Sequence, residues 1–333
     1  MRTPSYTAEE VQDHGATVVR LKDARWDVEV FVIPAVGNRA YRMLVNGANI
    51  LHFPSQNPND LKTDTHLSGI PFLAPWANRM PGGFFANGRR YLFHTESASI
   101  RADGNGIPIH GLLTASPFWK VSEITADSDG AWVTSRLEFW RYPELMSNWP
   151  IAHEYEMTYR LREGALEVSI AVINRSFETM PVAVGFHPYF VLPGVPIADA
   201  VARIPVTSHV ETDNRLVATG ELKPVDFESP LSLRERRFDD GFTGLAANDK
   251  GQAVFSVEGA GRKIEVVFGP KYTVAIVYAP AGQDYICFEP MTAVTNGINL
   301  ASEGKYAGLQ SIEPGGRWAE SFWIRPSGFN TSV

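Results

Sequence analysis

The sequence predicts an all-β protein whose mostly antiparallel sheets pack face to face. Apolar residues recur at every second position in several rows, the signature of strands with one buried face. Turn-forming residues punctuate those rows, and helix signals are scarce along the 333 residues. Strand signals run from about residue 16 to residue 325 with no linker, repeat or low-complexity tract between them. Residues 1–333 are therefore expected to form one large domain of two packed sheets.

The elements follow in order. Thr7 to Glu10 fits a capping box, with only a short segment behind it. Trp26, Val28, Val30 and Val32 alternate with Asp27, Glu29, Phe31 and Ile33. A single helical turn fits Asn57–Leu61. Asn87-Gly88 lies between Gly83–Ala86 and Arg89–Phe93 and reads as a type I′ hairpin turn, because both residues tolerate positive φ. Val133, Ser135, Leu137 and Phe139 form another row. Tyr155, Met157, Tyr159 and Leu161 give the cleanest one, closed by a turn at Gly164. Val274–Tyr278 and Tyr285–Phe288 read as consecutive strands. The 28 glycines and 23 prolines are spread throughout, as many short strands require.

Composition excludes several functions. A formal net charge of −7 argues against a nucleic-acid partner, which needs a basic face. The single cysteine, Cys287, rules out an internal disulfide or a multi-cysteine metal site, so a reducing compartment and an inert buried thiol are expected. The N-terminus lacks the apolar stretch of a secretory signal, and no run is long enough to span a membrane. The expected location is cytoplasmic, and the expected state is a monomer or homodimer.

Four segments carry chemistry: Asn78-Arg79 in PWANRMPGG, His110-Gly111 in GIPIHGLL, His187 in GFHPYF and Glu289 in CFEPMTAVTNGIN. Together they offer a cation, two imidazoles and a carboxylate, a set suited to proton transfer on a neutral polyhydroxylated ligand. Each has a plainer alternative. Arg79 could be a solvated loop arginine, and His110 or His187 a satisfied core histidine. The glycine after His110 would let a ligand approach the backbone. Glu289 ends an apolar stretch, where burial is costly unless the carboxylate is paired or working. On a strand it would point with Cys287, opposite Ile286 and Phe288. A structural carboxylate bonded to arginine is its alternative. Asp239-Asp240, before Gly241, could bind a cation or sugar hydroxyls, or form a plain Asx turn. His52 and His66 are possible rim contacts. No histidine spacing suggests a metal site, and no cofactor is expected.

These motifs, in this order, resemble the aldose 1-epimerases, also called galactose mutarotases. Ala77-Asn78-Arg79 precedes a glycine-containing hairpin. His110-Gly111, then His187-Pro188-Tyr189-Phe190, then Asp239 to Phe242 follow, and Glu289 with Thr292 and Asn299 closes the set. The resemblance implies a β-supersandwich. It also implies Glu289 as catalytic base and His187 as acid, with Arg79, His110, Asp239 and Asn78 binding the sugar. The residues beside His187 and Glu289 depart from the galactose-type pattern and look more like less specialised or hexose-6-phosphate-type relatives.

The expected reaction is interconversion of sugar anomers by ring opening and closure, starting from an ionised carboxylate and a protonated imidazole. A hexose 6-phosphate is an alternative substrate, with Arg39 or Arg42 meeting the phosphate. A non-catalytic sugar-binding domain is a second alternative, and a glycosidase or lyase using Asp239 with Glu289 a third.

Overall fold

The computed structural model describes residues 5–63, 67–234 and 236–329. Its strands form three principal antiparallel sheets, the all-β supersandwich that was expected. The first has five strands in chain order: Tyr6–Asp13, Ala16–Asp23, Val28–Ile33, Arg39–Val45 and Ala48–Asn49. The second has nine and contains the long central strands His153–Arg162, Ala165–Asn174 and Arg317–Ser327. The third has eight. Its middle runs Phe238–Thr243, Val274–Ala279, Ile286–Met291 and Gly185–Phe186, with Tyr189–Phe190 also paired to Ile286–Met291. Among the described residues no helix is long and apolar enough to cross a membrane.

Alternation decides which side chains meet. Along His153–Arg162 every second residue is buried, so Tyr155, Met157, Tyr159 and Leu161 enter the core as the sequence predicts. One hydrophobic core joins the sheets, through Val30 of the first, Val168 and Phe322 of the second, and Phe186 and Phe288 of the third. A smaller cluster lies on the other face of the third sheet and includes Leu73, Tyr189, Ile276 and Cys287. The eight-stranded sheet is thus apolar on both faces, and the candidates Asp239 and Glu289 lie on two of its strands.

Both turns read from sequence have the required backbone. Asn87 and Gly88 take φ of 53° and 70°, and Glu163 and Gly164 take 50° and 72°. The turn near Asn57 is a short 3₁₀ helix, Pro58–Lys62, whose cap residue Asn57 accepts from the Asn59 amide. Other expectations change. Thr7 to Glu10 lies in a strand paired with Ala16–Asp23 from Tyr6↔Asp23 to Asp13↔Ala16. Eight residues of ladder outweigh one cap with too short a helix behind it. Trp26 falls in the turn before its strand and is exposed, and Phe139 leaves its strand for a 3₁₀ turn.

His153 is wholly buried, its ring stacked on Phe139 at 4.2 Å and its Nδ1 2.6 Å from the Ile151 carbonyl oxygen. Burial pushes its pKa down to about 3, although the Ile151 bond favours the proton. Between that value and the ordinary 6.5, the unfolded chain binds a proton that the folded one refuses. Stability from this group is therefore complete above 6.5 and is lost as pH falls. Urea unfolding at pH 7 and pH 5 should show His153→Gln losing about 2 kcal/mol less than the parent over that interval. An equal loss in both proteins would mean that His153 titrates normally.

Candidate active site

The site is organised around the strand Ile286–Met291, all six of whose residues are buried. Glu289 lies inside this strand, where the sequence reading placed it at the end. Strand alternation sends Ile286 and Phe288 into the main core and turns Cys287 and Glu289 to the opposite face. On that face Ile276 stands opposite Glu289, and Tyr278 opposite Cys287. Asp239 continues the row beside Tyr278 on the next strand. Tyr189 pairs with Cys287 from the other side. One face of four short strands thereby presents Asp239, Tyr278, Glu289 and Tyr189 to a common space.

A second group arrives on irregular backbone. The segment through Asn78-Arg79 runs beside the segment through Ile109-His110: Arg79 bridges Ile109, and the His110 amide donates to the Asn78 carbonyl at 3.0 Å. Asn78 and His110 both take left-handed φ, 56° and 64°. Gly111 follows at 70°, and a Cβ there would lie 2.1 Å from the Ala74 carbonyl oxygen. The glycine after His110 therefore serves a close backbone crossing, where the sequence had suggested a ligand's approach.

These groups line a cavity of about 370 Å³, within the range of small-molecule sites. Asn78, Arg79, His110, His187, Asp239 and Glu289 all line it, so six candidates far apart in the chain converge. His187 Nε2 lies 3.2 Å from Glu289 Oε1 and 3.2 Å from the Tyr189 hydroxyl. Its ring stacks on Tyr189, 4.3 Å away and parallel within 1°. The His110 ring stands edge-on to it at 5.5 Å. Three polar atoms here are buried without a protein partner: Glu289 Oε2, His187 Nδ1 and His110 Nδ1. Glu289, His187 and His110 all line the same cavity, where a ligand or water can pair with these atoms. A larger groove of about 710 Å³ lies elsewhere, lined by Trp26, Arg160 and Trp323 among others. It brings no imidazole to its wall, so chemistry and not size selects the site.

Electrostatics here are dominated by burial. Glu289 is 1% exposed, and desolvation raises its pKa well above the carboxylate norm; Asp239 adds to this and Arg79 opposes it. Desolvation pushes His187 down to about 3. His110 keeps a strip of surface on the cavity but is densely surrounded, and burial, then the charges of His187, Arg101 and Arg79, lower it too. Neutral forms of Glu289 and His187 are thus favoured, against the expected charge-separated start. Burial also raises Asp239, with Arg79 opposing and Asp240 adding, although its carboxylate is exposed to the water of the open cavity.

Arg79 is no solvated loop residue. Its Nε donates to Asp103 Oδ2 at 2.6 Å, and Nη1 reaches Asn78 Oδ1 at 3.3 Å, which leaves further donors of its five for a ligand. Burial pushes the Asp103 carboxyl up, but Arg79 and the Ile107 and Asn105 amides outweigh it and hold it low. Asp103, Arg101, Tyr278 and Tyr285 line the cavity and escaped the sequence reading. The Asx-type segment Asp103-Gly104-Asn105-Gly106 was the available signal for the first. Asp239 and Asp240 sit in a strand, not a turn. Asp240 is engaged by His209 at 2.9 Å, so Asp239 is the one facing the cavity.

Other candidates fall away. Arg39 is buried and donates to the Thr114 carbonyl, while Arg42 pairs with Asp13 at 3.2 Å; neither lines the cavity. His52 stands behind the wall, its ring 4.6 Å from Tyr285. His66 lies outside the described residues. Thr292 donates to the Val184 carbonyl, and Asn299 fastens the hairpin through Gly83 and Phe85, so both act structurally. Among the described residues no group of three or more His, Cys, Asp or Glu is placed to hold a metal ion.

A family model described as aldose 1-epimerase matches residues 31–325. Among solved structures, a galactose mutarotase-like protein from Clostridium acetobutylicum is similar with a TM-score of 0.85 at 22% identity, over 98% of this chain and 99% of that one. A Synechocystis protein gives 0.73 at 24%, over 98% and 100%. A galactose 1-epimerase from Lactobacillus acidophilus gives 0.69 at 16%, over 97% and 98%. At these identities the likeness establishes a shared fold.

The backbone crossing beneath His110 can be tested by stability. Gly111→Ala should cost at least about 3 kcal/mol in urea unfolding, because left-handed strain adds to a backbone collision. Gly88→Ala, at the same φ of 70° but with nothing within 4 Å, should cost only about 1 kcal/mol. Similar losses would show that the crossing is not tight.

Proposed function

The chain belongs to the aldose 1-epimerase family, and on that premise we propose that it interconverts the α and β anomers of free aldohexoses, with Glu289 as base and His187 as acid. The observation that carries this reading is the buried contact of 3.2 Å between His187 Nε2 and Glu289 Oε1, with the second oxygen of Glu289 and Nδ1 of His187 unpartnered at the cavity. Glu289 takes the proton from the anomeric hydroxyl while His187 delivers one to the ring oxygen. The C1–O5 bond breaks, giving the open aldehyde. Rotation about C1–C2 and closure on the other face return both protons. Arg79, His110, Asp239 and Asn78 hold the remaining hydroxyls.

One proton on the pair is enough, because each passage removes one from O1 and supplies one to O5. Burial rests that proton on Glu289; passing it to His187 across the contact sets up the base and acid together. The pair titrates as a unit. A merely sugar-binding role gives the costly burial of a carboxylate beside an imidazole nothing to do. A phosphorylated substrate loses its expected partners, since Arg39 and Arg42 are engaged elsewhere.

Polarimetry with α-glucose and α-galactose tests the assignment. Glu289→Gln should lower the rate at least about 100-fold with the fold intact. His187→Asn should lower kcat by a similar factor and change KM by less than about tenfold, because an acid acts mainly in the transition state. A Glu289→Gln enzyme keeping more than a tenth of the activity removes Glu289 from the base role.

The pH profile tests the proton inventory. At low pH a second proton must enter a histidine pushed down to about 3, and at high pH the remaining proton must leave a carboxyl raised by burial. The rate, as kcat/KM, should therefore stay level through pH 6.5, the ordinary imidazole value. An acid limb centred there would assign His187 a normal pKa.

A further inference from the structure

Arg79 enters the cavity from a backbone that is fastened on both sides. It bridges Ile109, and its carbonyl accepts from the Asn296 amide at 3.0 Å. Its side chain is held as well. A long, rotatable arginine loses freedom when a ligand orders it, and that loss weakens binding. Here Nε donates to Asp103 Oδ2 at 2.6 Å and Nη1 to Asn78 Oδ1 at 3.3 Å. Two contacts on different nitrogens fix the plane of a flat, rigid guanidinium. Nη2 has no protein partner among the described residues and stays available to a ligand.

Asp103 is seated to hold that pose. Its side chain is 7% exposed, and it lines the same cavity. It lies in a loop closed by the Ile109 amide donating to the Arg101 carbonyl at 3.0 Å and the Asp103 amide donating to the Ile107 carbonyl at 2.9 Å. Its two oxygens have separate tasks. Oδ1 accepts from the Asn105 and Ile107 amides, each at 2.9 Å, and so closes the turn that carries it. Oδ2 accepts from Arg79. A contact between an ionised carboxylate and a guanidinium is strong and directional. We propose that Asp103 is a positioning residue for sugar binding: through Oδ2 it aims the Arg79 guanidinium at the substrate, and affinity follows that contact. This rests on the sugar-binding role given to Arg79 above.

Asp103→Asn separates the two tasks. The asparagine Oδ1 still closes the turn, while its amide nitrogen is a donor and cannot accept from Arg79 Nε. Polarimetry with α-glucose should show KM raised about tenfold and kcat within about twofold, because an aimed arginine serves ground state and transition state alike. Asp103→Ser, whose hydroxyl also closes such a turn but leaves no second oxygen for Arg79, should give the same split. A double-mutant cycle with Arg79→Met separates aiming from loop structure. In that background Asp103→Asn should change KM by less than about twofold, since no guanidinium is left to aim. An unchanged KM in Asp103→Asn, or the full rise persisting in the Arg79→Met background, would overturn the proposal. So would failure of both Asp103 variants to show a native urea transition, which would make the residue structural. Arg79→Met with the native KM would instead remove Arg79 from sugar binding, the reading on which the proposal stands.

Discussion

A carboxyl and an imidazole buried 3.2 Å apart in the middle of a sheet set the terms for everything around them. Burial raises the carboxyl's pKa and lowers the imidazole's, so both lean toward their neutral forms. Under the proposed reaction a ligand arrives with groups that exchange protons with the pair. The surroundings meet that need unevenly. Tyr189 stacks under His187 and fixes its plane, while Glu289 Oε2 and His187 Nδ1 are left without protein partners. Arg79 is pinned by Asp103 at the side and opposes the rise in the carboxyl's pKa.

The fold supplies this arrangement through two geometries. Strand alternation separates the core side of Ile286–Met291 from its cavity side, so the same strand buries Phe288 and presents Glu289. Left-handed turns at Asn78 and His110 then bring donors across the opening, and the crossing at Gly111 leaves no room for a side chain. The sheet carries Glu289, and the loops bring the proposed ligand-binding groups to the same cavity.

Much of this was legible in the sequence. The period-two row from Tyr155 to Leu161 and the Asn87-Gly88 turn are local signals, each set by backbone geometry alone. Glu289 stood out because a carboxylate in an apolar strand violates the usual pattern, and such violations gather at functional sites. The rest depended on distance in the chain. Asp103 meets Arg79 from 24 residues away, and Arg101 reaches the cavity only because the loop folds back beside Ile109. Arg39 and Arg42 looked available until the fold gave them Thr114 and Asp13. The electrostatics of the pair were not legible for a related reason: burial favours the neutral forms, and desolvation belongs to the assembled site and has no signature in composition.

The proposed shared proton is tested directly by infrared difference spectroscopy of the native protein against Glu289→Gln, followed across pH in the absence of sugar. Burial of the carboxyl predicts a protonated C=O band lost in the variant, and that band should persist at pH 6.5, well above the ordinary carboxylate value. A carboxylate band for Glu289 already complete at pH 6.5, with no protonated signal, would contradict the neutral resting pair.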